Sequence, residues 1–221
     1  MKNVVIFGCK DVAQLAKFYL ENDEKYKYSY KVVAFSVNKE FLANDKFEGL
    51  PVIAFEDIEN HFDKKNTSFF APMTGVKMND VRQNIYNQIK SKGYDCISYI
   101  SSRATILTQK IGENCFILED NTIQPFVEIG NNVVLWSGNH IGHHSVIKDN
   151  VFFTSHVVLS GHCEVRQNSW IGVNATIRDG VVIGEKTLVA MGSLITKDTE
   201  SNGFYMGTPA KKQDKKSIEV Y

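Results

Sequence analysis

The sequence predicts two structural halves: a small α/β domain with a parallel sheet over residues 1–103, then a parallel β-helix of about five coils over residues 104–221. Three observations carry this. Strand-like runs alternate with amphipathic helical runs up to about residue 100. From Ile111 onward every sixth residue through Ile195 is Ile, Leu, Val or Phe, without a slip of phase. Four residues after each of these anchors comes a second series, Cys115, Asn121, Val127 and onward to Ser193, whose members are small, β-branched or Asn.

In chain order, "NVVIFG" reads as a buried strand. "CKDVAQLAKFYLENDEK" reads as a helix with Val12, Leu15, Ala16, Tyr19 and Leu20 on one side. "KVVAFSV", "LPVIAFEDI" and "TSFFAPM" supply further strands, the second running into a turn of helix. The helix "MNDVRQNIYNQIKSKG" and the strand "DCISYI" follow, which makes a Rossmann-like unit. Ligands of such sheets sit beyond the C-terminal strand ends, here Gly8, Cys9, Lys10 and Asp11 after the first strand, and Ser36 to Asn38 after the second. "GCKDVA" holds a single glycine of a GxGxxG, which argues against a dinucleotide. "SSRATILTQK" reads as a short connection into the first coil.

A period of six matches neither helix nor simple strand; it matches a β-helix of hexapeptides, and the resemblance to hexapeptide-repeat proteins implies three hexads to a coil of about eighteen residues. Gly112, Gly130, Gly142, Gly172 and Gly184 each follow an anchor, where a turn would use a permissive backbone.

Composition removes several functions. Lys plus Arg and Asp plus Glu are 25 each, so no bulk charge favours nucleic acid or an anionic membrane. No apolar run is long enough for a membrane span, and the chain enters a strand at once without a leader pattern. Four scattered cysteines without a CxxC pair read as reduced thiols of a cytoplasmic protein.

Five of the six histidines fall between His140 and His162. His144 and His162 are eighteen residues apart and should stack on adjacent coils, and His143 should lie in register with Gly161. His156 belongs to a neighbouring face. A metal site is one alternative reading of the cluster, but neighbouring strand residues point to opposite faces, which argues against His143 and His144 sharing an ion. Cys163 falls in the inward series and reads as core.

"VVIFG" at the start, "YISSRATI" at the entry, the hexad array and the ending "YMGTPAKK" together resemble the nucleotide-sugar acetyltransferases of bacterial surface-glycan (lipopolysaccharide and O-antigen) synthesis, the sialic acid O-acetyltransferase-like family. The likeness covers nearly the whole chain. It implies a left-handed β-helix, a homotrimer, acetyl-CoA in the cleft between neighbouring coils, no metal, and an N-terminal domain holding the nucleotide of an amino-dideoxy sugar. It implies His143 in "IGHHSVI" as general base, His144 where relatives carry a carboxylate, and Gly161 as oxyanion donor. Ser160, Gly161, Gly172, Ala190, Met191, Gly192, Lys197 and Lys211 are the implied acetyl-CoA contacts, and Asn139 and His156 join Gly8–Asp11, Ser36 and Asn38 as substrate contacts. The expected reaction is direct N-acetyl transfer, with O-acetylation or a β-helical metal hydratase of carbonic-anhydrase type as alternatives.

Overall fold

The computed structural model describes all 221 residues. The N-terminal sheet contains β1 (Lys2–Phe7), β2 (Tyr30–Val37), β3 (Lys46–Phe47), β4 (Leu50–Ala54), β5 (Thr67–Phe70) and β6 (Asp95–Cys96) in the order β3-β4-β2-β1-β5-β6. All neighbours are parallel except β3 and β4. Helices α1 (Asp11–Asn22) and α2 (Asp80–Ser91) complete it. On α1 the buried residues are Ala13, Ala16 and Leu20, one position off the predicted face at its start, with Val12 and Tyr19 half-buried beside them. The strand order reverses at β1, which has β2 on one side and β5 on the other, so a crevice opens beyond its C-terminal end.

The predicted strand "DCISYI" divides between the halves. Asp95–Cys96 ends the first sheet, whereas Tyr99–Ile100 already pairs with Phe116–Ile117 in the coil. Thr105–Ile106 likewise pairs with Thr122–Ile123, so "SSRATILTQK" is itself part of the β-helix, not a connection to it.

The left-handed β-helix has three faces. Face one stacks six two-residue strands from Thr105–Ile106 to Leu194–Ile195, including His140–Ile141 and Val158–Leu159. Face two stacks four, from Glu128–Ile129 to Val182–Ile183, and face three runs from Tyr99–Ile100 to Leu188–Val189 and ends in the hairpin Gly203–Gly207 and Ala210–Lys216. Every anchor from Ile117 to Ile195 is buried, and so is every member of the second series from Cys115 to Ser193. The anchors from Ile117 to Ile195, with the apolar members of that series and Tyr205, form one core of 23 residues.

The turns use a different position from the one predicted. Every sixth residue from Asn114 to Gly192 has positive φ: Asn114, Asp120, Phe126, Asn132, Gly138, His144, Asn150, His156, His162, Asn168, Asn174, Gly180, Lys186, Gly192. Asn, Asp and His tolerate this region better than most side chains. The glycines after the anchors have ordinary φ and serve close approach instead. A Cβ on Gly142 would meet the Gly161 nitrogen at 2.5 Å, and one on Gly172 would meet the Met191 nitrogen at 2.5 Å.

The N-terminal domain covers face three and the corner between faces two and three. Phe116, Val134 and Phe152 are buried among residues of β1, β2 and α1, with Trp170 packed alongside. At the corner, Asn114, Asn132, Asn150 and Asn168 pass side-chain amide bonds from coil to coil. The buried Arg82 of α2 donates to the carbonyls of Asn132 and Asn150, and Asn79 donates to those of Asn168 and Ser169.

Candidate active site

The corner between faces one and two carries Phe126, His144 and His162 in its left-handed position, one above another. The rings of Phe126 and His144 are 4.6 Å apart; those of His144 and His162 are 5.0 Å apart and nearly parallel at 14°. His143 immediately precedes His144 in the same turn. Its backbone N–H donates to Gln124 Oε1 at 2.9 Å, and its carbonyl accepts from the His162 N–H at 2.9 Å. Because this segment is a turn and not a strand, alternation does not apply: both imidazoles point to the same side. Their Nδ1 atoms are 3.1 Å apart, which overturns the expected divergence of His143 and His144. One ring donates and the other accepts.

His143 lies over Gly161, as its register predicts. A Cβ at Gly161 would stand 3.0 Å from His143 Nε2 and 3.0 Å from Asp179 Oδ1, so the missing side chain makes the space in which the imidazole sits. The Gly161 N–H has no acceptor within the chain. An exposed imidazole and a carboxylate thus face the space left by Gly161, whose own backbone N–H has no acceptor in the chain. Such a set can take a proton from a nucleophile and stabilise a developing oxyanion.

Of the other predicted residues, Gly8, Cys9, Lys10, Asp11 and Asn38 line a cavity of about 730 Å³ at the crevice beyond β1, mostly walled by apolar groups such as Phe41, Phe47 and Met73. Asn38 Oδ1 is buried there without a partner. Burial pushes the Cys9 thiol up to about 11, so it is no nucleophile near neutrality. Ser36 does not line this cavity: it is buried and donates to the Ile53 carbonyl. Asn139 is also withdrawn, since it points into the coil, donates to the Trp136 carbonyl and accepts from the Val157 N–H. His156 sits on the third corner, its ring against Gly138, away from the His143 column. His140 lies on a face-one strand and joins neither. Cys163 is buried in the core, its thiol donating to the Arg178 carbonyl, and burial raises its pKa.

The implied acetyl-CoA residues fall on two corners. Ser160 and Gly161 belong with His143, and the exposed Lys197 lies further along that register. Gly172 packs against Ala190 and Met191, near Gly192, on the corner between faces three and one, with Met191 exposed. Lys211 is exposed on the terminal hairpin. Gln124, Phe126 and Asp179 were not singled out from sequence. Steps of eighteen from His143 and His144 reach Asp179 and Phe126, so the coil period was signal enough for those two.

Comparison with known proteins agrees with this architecture. The bacterial transferase hexapeptide (six repeats) model matches residues 110–143 and 162–197. A variant of perosamine N-acetyltransferase from Caulobacter crescentus, in complex with CoA and GDP-perosamine, superposes with a TM-score of 0.82 at 20% identity, covering 96% of this chain and 97% of that one. The acetyltransferase domain of PglB from Neisseria gonorrhoeae gives 0.82 at 18% identity, covering 96% and 100%. The galactoside O-acetyltransferase of Escherichia coli is 30% identical over 100 residues, which is 44% of this chain and 46% of that protein. The chain spans less than half the length of the curated relatives it matches first, at 46%, 37% and 45%.

Proposed function

We propose that the protein transfers an acetyl group from acetyl-CoA to the amino group of a nucleotide-linked sugar, with His143 as general base. The observation that carries this reading is the exposed His143 imidazole lying over Gly161, a residue whose backbone N–H has no acceptor in the chain. A perosamine N-acetyltransferase with the same two-domain architecture binds CoA and GDP-perosamine, which supports this substrate class.

The sugar amine attacks the thioester carbonyl while His143 accepts its proton. The carbonyl oxygen gains charge and is met by the Gly161 N–H. The intermediate collapses with loss of the CoA thiolate, which takes the proton back from the imidazolium. No acyl-enzyme forms, in keeping with the burial of Cys163. The 3.1 Å contact with His144 fixes the His143 ring where relatives use a carboxylate. The nucleotide occupies the cavity beyond β1: Asn38 Oδ1 offers an acceptor to a base N–H, Lys10 and Lys46 lie at its wall, and the first turn of α1 opens into it.

The two groups of acetyl-CoA residues lie on different corners of one chain, with face one between them. A single acetyl-CoA reaching both therefore lies between two copies, which supports a homotrimer. Acetylation of a hydroxyl would use the same groups, and the likeness to galactoside O-acetyltransferase favours it as the second reading.

The test is thiol release from acetyl-CoA against a panel of nucleotide-linked amino and hydroxy sugars. His143→Ala is expected to lose about a hundredfold or more in kcat, the usual scale for a general base. Turnover near wild type would refute the assignment.

A further inference from the structure

The cluster that holds His143 contains more than a base needs. His143, His144 and His162 are all exposed, and one ring nitrogen from each lies within 4.8 Å of the others. Apart from the Nδ1 contact between His143 and His144, none of these three rings has a hydrogen-bond or ion-pair partner in the chain. The remaining ring nitrogens are thus open to a ligand. The 3.1 Å between the two Nδ1 atoms is already close to the separation of two nitrogens on one tetrahedral ion, about 3.4 Å for bonds of about 2.1 Å. His162 faces His143 edge-on, ring centres 5.0 Å apart, and a small side-chain rotation brings its nitrogen into range.

The backbone supports this arrangement. His144 and His162 are one coil apart and are locked by parallel pairing above and below, so their Cα separation cannot drift. Phe126 stacks on His144 and closes that end of the column. Three imidazoles form a borderline-soft nitrogen set, which selects Zn²⁺, Ni²⁺ or Cu²⁺ over Mg²⁺ or Ca²⁺.

We propose that His143, His144 and His162 form a site for a borderline transition-metal dication, and that its occupancy stops acetyl transfer by taking the His143 lone pair. The ion is an inhibitor and not a cofactor: a neutral imidazole has one nitrogen lone pair to give, and with metal on Nδ1 the proton sits on Nε2, which can then accept none. The inhibitory half rests on the reading of His143 as base; the site itself does not.

Zn²⁺ is the probe. Calorimetric titration of the full-length protein is expected to show one saturable site per chain. His144→Asn and His162→Asn should each weaken it about tenfold or more, since even outer-shell losses reach that scale. Asn suits the left-handed corner, as Asn132, Asn150 and Asn168 show, so these variants keep the backbone. His61→Ala, an exposed histidine of the other domain, should bind as wild type does. Zn²⁺ should also inhibit acetyl transfer reversibly by chelator, and His162→Asn should need about tenfold more Zn²⁺ for the same fractional loss of its own metal-free rate. No saturable binding, or binding unchanged in both Asn variants, overturns the site. Binding without inhibition in an active enzyme overturns the inhibitory half of the proposal. If no acceptor sugar is found, the acetyltransferase reading fails alone and the calorimetry still decides the site.

Discussion

At the scale of single residues, glycine has two separate uses in this coil, and the sequence shows only that glycines are present. Gly142 has ordinary φ, but a Cβ there would meet Gly161 N at 2.5 Å and the Ser160 carbonyl oxygen at 2.7 Å. Gly192 has φ +65° and open space around it. Gly142→Ala should therefore force neighbouring coils apart at a cost of about 1–3 kcal/mol and disturb the proposed oxyanion donor, Gly161. Gly192→Ala should bear only the left-handed penalty of about 1–2 kcal/mol, and leave the His143 region untouched. Thermal melts and acetyl-transfer rates of the two variants check this; a Gly142→Ala protein with normal rate and melting would contradict it. The register of His144 with His162 was legible because a period of eighteen leaves no choice. The shared direction of His143 and His144 was not, because the spacing does not say which of the six positions makes the turn. Asn, Asp, His, Phe, Lys and Gly all occupy it.

At the scale of elements, the end of α1 is tied to the start of the coil through one carboxylate. Asp23 accepts from the Tyr99 hydroxyl and the Ser102 N–H, each at 2.9 Å, and from the Lys25 N–H at 2.9 Å. Burial acts to raise its pKa, but the hydrogen bonds outweigh burial and hold the carboxyl below its ordinary value. A carboxyl depressed on folding adds stability above its unfolded pKa of about 3.9, and that stability is lost as pH falls through the lower folded value. Asp23→Asn should thus be less stable at neutral pH and show a shallower decline below about pH 4. Chemical denaturation across that range measures the slope; an unchanged acid limb would remove Asp23 from the contact. Most strands and helices were readable from their periodicity, but Lys46–Phe47 and the terminal strand Ala210–Lys216 were not. The division of "DCISYI" between two sheets was not, since Asp95–Cys96 and Tyr99–Ile100 differ in their partners and not in their own pattern.

At the scale of the molecule, the two halves share one buried surface. Phe116, Val134, Phe152 and Trp170 each stand one residue before an anchor, at intervals of eighteen, and form an outward apolar stripe on face three. That interval was available in the sequence and marks the docking face. The Arg82 clamp was not, because one arginine in a helix carries no sign of the carbonyls it will meet. Removing the N-terminal domain bares this stripe, so the coil alone should bind hydrophobic dyes and associate non-specifically. A clean, dye-silent coil would show that the stripe does not need its cover.

The clamp has a consequence for selectivity. Arg82, Asn79 and the asparagine corner join the domain carrying the proposed nucleotide cavity to the coil carrying His143 through buried hydrogen bonds. If these bonds fix the spacing between the proposed nucleotide cavity and the proposed base, the protein would act as a calliper set to one substrate length. A sugar joined through one phosphate fewer would still fill the cavity yet fall short of the base. It should compete for binding without being acetylated, and acetylation of the shorter compound at the full rate would show that the jaws can move.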